Sequence, residues 1–174
     1  MSDSRPTFRP ALVAKTTISS AEVTLSAPPE GAIVHVLTAP GEPDMTSFLR
    51  SLGKGDVRTV SPGQWLIVSD EPITRDDLKS LSQTLGPRAT CVDQSSGRVR
   101  IRIDGRKAER VLSKGTAIDL SAASFSVGPS ATTLIGHIAA HITRLNGNCF
   151  ELLVLRSFAD SLWDDLTRMS AEYR

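Results

Sequence analysis

Two cysteines, one tyrosine, two tryptophans and five phenylalanines are all that 174 residues carry of those types. Few cysteines exclude a disulfide-built scaffold. Cys91 and Cys149 lie far apart, each beside an apolar run, and read as buried reduced thiols; cytoplasmic residence is the default expectation. Aromatic residues do not alternate with basic ones, which argues against a stacking platform for single-stranded nucleic acid. No excess of one charge exists either. A formal net charge of +1 gives no global field to recruit a polyanion or an acidic membrane surface. No apolar run approaches the roughly 20 residues that span a bilayer. The start, MSDSRPTFRP, is polar with two prolines and lacks the apolar segment of a secretion leader. It reads as a flexible arm, or one ordered by a partner, with the arm drawn as residues 1–28.

Catalytic signatures are missing as well. No glycine-rich dinucleotide loop follows a strand pattern, and no phosphate-loop lysine appears: Lys54 in Gly53-Lys54-Gly55 reads as part of a helix-ending turn. A nucleophile elbow is absent, and the serines of Asp93-Gln94-Ser95-Ser96-Gly97 suit a turn before a strand. Asp164 and Asp165 are adjacent on an expected helix, so they diverge by about 100° and cannot act as an acid and base pair. His137 and His141 have the four-residue spacing of helical metal ligands. Their surroundings, Thr132 to Arg144, are rich in β-branched residues and predict a strand, where four residues span roughly 13 Å, too far for one ion. His35 reads as a satisfied core residue.

What the chain does carry is pattern. Val99, Ile101 and Ile103 alternate with Arg98, Arg100 and Arg102, the period of a strand with one apolar and one basic face. Asp104-Gly105 turns the chain, Ala108, Val111 and Leu112 follow at helical spacing, and Gly115 is expected to end that helix at positive φ. An earlier stretch has the same order: an apolar strand from Ala32 to Leu37, then Met45, Phe48, Leu49 and Leu52 on one helix face ending at Gly53. Strands are expected at Val57 to Val60 and at Trp65 to Val68, entered through Ser61-Pro62-Gly63. A helix capped by Thr74, with Asp76 and Asp77 in its first turn and Leu78, Leu81 and Leu85 facing inward, stops at Gly86-Pro87. Residues 147–154 echo residues 63–68, and Leu162, Trp163 and Leu166 share a face of a last helix. These elements predict an α+β fold of two tandem β-α-β-β-α units with antiparallel sheets, occupying residues 29–174 as one compact domain of two pseudo-repeats, about 29–92 and 93–174.

The arginine row is the constellation that stands out. Arg98, Arg100 and Arg102 on one sheet face call for solvent, for glutamates from a covering helix, or for edge protection. The functional alternative is a contact to an anion or an acidic partner, since arginine forks grip carboxylates with two hydrogen bonds.

The run Asp93 to Ile103, with Gly105, Ala108, Val111-Leu112, Lys114-Gly115, Asp119-Leu120, Phe125, Val127-Gly128, Arg156-Ser157-Phe158-Ala159, Leu162-Trp163 and Leu166, resembles the gamma subunit of heterotetrameric sarcosine oxidase. The Gln64-Trp65-Leu66 strand adds to the likeness, which covers roughly residues 30–170. The resemblance implies a fold related to the folate-binding domain of aminomethyltransferases and a non-catalytic, assembling role beside alpha, beta and delta subunits. In such an assembly sarcosine is demethylated to glycine and the one-carbon unit passes to tetrahydrofolate. FAD, FMN, NAD, tetrahydrofolate and zinc would sit in the partner subunits, with none of them held by this chain. A gamma chain of a related N-methyl amino acid dehydrogenase fits the same pattern. A stand-alone folate-binding transferase or regulator is a competing reading, and the Lys-Gly-Cys-Tyr-type motif of such proteins is replaced here by Lys114-Gly115-Thr116-Ala117. A homodimeric binding domain for an acidic ligand is a third.

Overall fold

The computed structural model describes residues 9–173. Ten strands form two antiparallel sheets. The four-stranded sheet has the order β4-β5-β3-β6, from β3 (Ala32–Thr38), β4 (Asp56–Ser61), β5 (Gln64–Ser69) and β6 (Ala89–Asp93). The six-stranded sheet runs β1-β2-β7-β10-β9-β8, from β1 (Ile18–Ser19), β2 (Thr24–Ser26), β7 (Arg98–Asp104), β8 (Ser130–Ile135), β9 (Ile138–Arg144) and β10 (Cys149–Leu155). Every pairing is antiparallel. The α+β class with antiparallel sheets read from the sequence holds.

Strand alternation decides where each face goes. On the four-stranded sheet Val34, Val36, Trp65 and Ile67 pack with Met45 and Leu49 around α1 (Thr46–Ser51) and with Leu81 and Leu85 of α2 (Arg75–Leu85). Trp65 Nε1 donates to Thr46 Oγ1 at 2.8 Å, which ties strand to helix. Thr74 caps α2 by accepting from the Asp77 amide at 3.1 Å, and Gly86, at φ 58°, ends it. On the six-stranded sheet Val99, Ile101, Ile103, Phe150, Leu152 and Val154 pack against α3 (Ala108–Ser113) and α4 (Ala159–Met169). The opposite faces meet each other: Ile33, Leu66 and Val68 form a small buried cluster with Leu153 of β10. The layers are therefore helices, sheet, sheet, helices.

Four expectations need correction. Residues 18–26 lie within the stretch read as an arm, yet they build β1 and β2. Leu25 pairs with Ile103 and is fully buried, as is Val23, because these apolar residues complete the core beside β7. The structural account of residues 1–8 lies outside the described chain. Second, the stretch from Thr132 to Arg144 is a hairpin, not one strand. Gly136, at φ 61°, makes a two-residue turn with His137 between β8 and β9. Third, Gly115 does not take a left-handed φ. It is small because a Cβ there would sit 3.1 Å from Met169 Sδ and 3.2 Å from Ile135 Cγ2, so it admits close packing of the ends of α3, β8 and α4. Fourth, His35 is only half-buried and partly satisfied: its ring has a hydrogen bond with the Gln64 side chain, while its Nε2 has no partner.

The two halves are related with a twist of connectivity. In the first, β6 lies beside β3; in the second, the place beside β7 is taken by β2, which comes from before the first repeat. The chain thus closes its C-terminal sheet with its own N-terminal segment.

Candidate functional site

The arginine row faces the other sheet. Across the six-stranded sheet, register sets Arg102 beside Glu151, Arg100 beside Leu153 and Arg98 beside Leu155, and on the far side of β10 it sets Thr143 beside Glu151 and His141 beside Leu153. Across the four-stranded sheet, Arg58 stands beside Leu66, which stands beside His35. These two surfaces close on one another.

At the centre is Glu151, fully buried. Its carboxylate oxygens lie 2.9 Å from Arg58 Nη2, 3.0 Å from Arg100 Nη2 and 2.7 Å from Arg102 Nε. Arg58 and Arg100 are themselves only 3% and 5% exposed, so this is an ionic cluster inside the protein and not a surface pair. Burial alone would raise the Glu151 carboxyl, but the three guanidiniums outweigh it and hold it below the ordinary glutamate value. Asp70, on the turn after β5, adds a rim contact: its carboxylate is 2.6 Å from Arg100 and 3.4 Å from Arg102. The Arg100 hydrogen bond pulls the Asp70 carboxyl down. Arg100 also donates to the Ser69 carbonyl at 3.3 Å, and Asp56 lies 3.3 Å from Arg58. The cluster joins the two repeats, since Arg58, Ser69 and Asp70 come from the first and Arg100, Arg102 and Glu151 from the second.

Arg98 sits apart from this cluster. It is half-buried, and burial with no compensating carboxylate pushes its guanidinium pKa down. Beside it, His141 is 3% exposed, with Nδ1 3.2 Å from Thr132 Oγ1. Burial first, and then Arg58 and Arg98, bring the His141 imidazole down to about 4, so it is neutral at ordinary pH. His137, on the hairpin turn, is exposed.

Of the residues singled out in the sequence, Arg100 and Arg102 are joined, and the carboxylates that meet them come from a neighbouring strand and a turn, not from a covering helix. Glu151, Arg58 and Asp70 were missed. A signal existed for Glu151: it is a lone acid in the middle of the apolar run CFELLVL, where a solvated side chain has no place. Arg144 was missed too. It is buried under the Phe150 ring, 4.5 Å from its centroid, and bonds the Gly147 carbonyl at 2.7 Å, Glu109 at 2.9 Å and the Leu120 carbonyl. Both thiols are free, and burial raises them, Cys149 to about 11. Neither is a ready nucleophile. Among the described residues no group of three or more His, Cys, Asp or Glu side chains is placed to hold a metal ion. Among them also, no helix is long and apolar enough to cross a membrane.

Two sheets clasped across an internal ionic layer, with helices outside, define the class: an α+β fold of two packed antiparallel sheets whose buried arginines pair with Glu151 between them. A model described as "sarcosine oxidase, gamma subunit family" matches residues 21–172, and the chain belongs to that family. The structure is similar to a chain of the heterotetrameric sarcosine oxidase from Corynebacterium sp. U-96 in complex with pyrrole 2-carboxylate, with TM-score 0.83, 21% identity, and coverage of 95% of this chain and 96% of that one. It is also similar to the glycine cleavage system aminomethyltransferase T from Bartonella henselae, with TM-score 0.59 and 14% identity, over 84% of this chain and 45% of that one. No curated protein sequence matches significantly.

Proposed function

We propose that this chain is the structural gamma subunit of a cytoplasmic heterotetrameric sarcosine oxidase, supporting alpha, beta and delta partners and carrying no active site of its own. The observation that carries the reading is the family match over residues 21–172 together with a fold likeness that spans nearly all of both chains. In the assembled enzyme sarcosine would lose its methyl group to give glycine, with FAD, FMN and NAD, tetrahydrofolate and zinc held by the other subunits. The chemistry of this chain is consistent with a scaffold. Buried Arg58 and Arg100 are spent on Glu151 and buried Arg144 on Glu109, its thiols are held protonated, and its buried histidine is held neutral. Those are means of fixing the relation of two sheets, which is what a subunit needs in order to present a rigid surface to partners.

The test is affinity purification of the tagged chain from its native cells, with mass and absorbance spectra of what accompanies it. The expected result is three further subunits, flavin absorbance and sarcosine-dependent peroxide release. A complex that oxidises another N-methyl amino acid would replace the substrate and keep the role. A colourless, partnerless chain that binds tetrahydrofolate would overturn the reading in favour of a stand-alone transferase.

A further inference from the structure

Arg98 is the member of the row that the internal cluster leaves over. Around the inter-sheet layer the guanidiniums of Arg58, Arg100 and Arg102 meet the carboxylates of Asp56, Asp70 and Glu151, and Arg98 adds a fourth positive charge to these three negative ones. Among the described residues no carboxylate pairs with Arg98, and its Nε is buried without a hydrogen-bond partner. Desolvating a guanidinium without a counter-charge costs free energy, so a site that holds one open is suited to an incoming anion.

The surroundings narrow the anion. Arg98 lines a cleft of about 190 Å³ together with Val60 and Leu66 from the four-stranded sheet and Thr132, His141 and Leu155 from the six-stranded one. His141 Nε2 has no partner. When the Thr132 hydroxyl donates to Nδ1, the imidazole proton resides on Nε2, an unpartnered donor on a residue that lines the same cleft as Arg98. A multiply charged phosphate would need more cations than one arginine. A single carboxylate matches one guanidinium fork, and the aliphatic walls match a short hydrocarbon body.

We propose that this cleft is a binding site for a monocarboxylate carried on a small apolar body, gripped by Arg98 and enclosed by Val60, Leu66 and Leu155. The carboxylate is either that of a free small acid or that of a side chain presented by a partner subunit; the grip is the same. The inference does not depend on the assembly reading, because it concerns groups of this chain alone.

The probe is isobutyrate, titrated into the full-length chain while nuclear magnetic resonance follows the Arg98 Nε–H and the His141 ring signals. A saturable shift of both is expected with isobutyrate and none with isobutyramide, the neutral molecule of the same shape. Arg98→Gln should bind at least roughly tenfold more weakly, since a charge-assisted contact is lost, and Arg98→Lys should fall between. Thermal melts of both variants confirm that they are folded. The titration repeated on whatever complex co-purifies separates the sources: a shift that persists identifies a free acid as the ligand, and a shift that is blocked identifies a partner's carboxylate already in the cleft. No saturable shift in the wild-type chain, an equal shift with isobutyramide, or an Arg98→Gln curve that overlays the wild type would overturn the proposal.

Discussion

Glu151 is the residue on which the two sheets converge, and its removal has an asymmetric cost. Glu151→Gln keeps the shape but leaves Arg58 and Arg100, 3% and 5% exposed, without their shared buried counter-charge. Stability is expected to fall by about 3–5 kcal/mol in denaturant unfolding, the range for breaking a buried ion pair from one side. Arg102→Ala should cost only about 1 kcal/mol, because Arg102 is 32% exposed and Arg58 and Arg100 still neutralise Glu151. Equal losses in the two variants would show that the cluster is not organised around Glu151.

His141 titrates in a different window. Its folded pKa, about 4, lies below the ordinary 6.5, so the folded state resists protonation and the unfolded state does not. The neutral form's contribution is complete above pH 6.5 and is lost as pH falls toward 4, an effect of roughly 3 kcal/mol at most. Glu151 is also depressed in the fold, so its contribution is complete above the ordinary value of 4.5 and is lost as pH falls below it. The two losses have the same sign and follow one another. Stability of the wild-type chain should therefore decline in two stages on acidification, and His141→Gln should flatten the stage between pH 6.5 and 4 while leaving the lower one. A wild-type profile level down to pH 4.5 would contradict a buried neutral imidazole.

At the scale of elements, the junction of β2 and β7 is the most constrained. Gly105 follows β7 at φ 125°, and a Cβ there would lie 2.3 Å from the Glu22 carbonyl oxygen, in the turn that leads into β2. Gly105→Ala combines backbone strain with a backbone clash and is expected to cost about 3 kcal/mol or more. Hydrogen exchange of the Leu25 and Ile103 amides should accelerate before that of α2, because β2 is the element that must move. This junction also shows what the sequence could not disclose. β2 has a single fully buried apolar residue, Leu25, between Thr24 and Ser26, too short a run for a period to be visible, and its partner is about eighty positions away. Longer elements were legible: α2 announced itself through Thr74, Asp76 and Asp77 at its start and Gly86 at its end, and β7 through strict alternation. The alternation of β7 told which residues share a face but not what that face meets. Solvent and a second sheet look alike when the carboxylate that neutralises the row, Glu151, lies about fifty residues on in the neighbouring strand, itself buried on both sides. The β8–β9 hairpin could have been read, since a run from Thr132 to Arg144 exceeds the usual strand length of roughly 3–10 residues and Gly136 falls near its start.

For the whole molecule the question is whether the two repeats are independent. Each sheet has its own helices and its own core, the arrangement of two domains. Against that, the faces turned toward each other carry Ile33, Leu66, Val68 and Leu153 together with Glu151, whose charge is neutralised from both repeats. Separation would expose the apolar cluster and strip Glu151 of Arg58. The N-terminal segment adds a second tie, since β1 and β2 precede the first repeat in the chain yet close the sheet of the second. The chain is therefore expected to unfold in one cooperative transition, with calorimetric and van 't Hoff enthalpies equal, and Glu151→Gln is the variant expected to split it. Residues 29–93 expressed alone should show no cooperative melt. Two transitions in the wild-type chain, or a stable first repeat on its own, would mean that the ionic layer joins two finished domains and does not complete one.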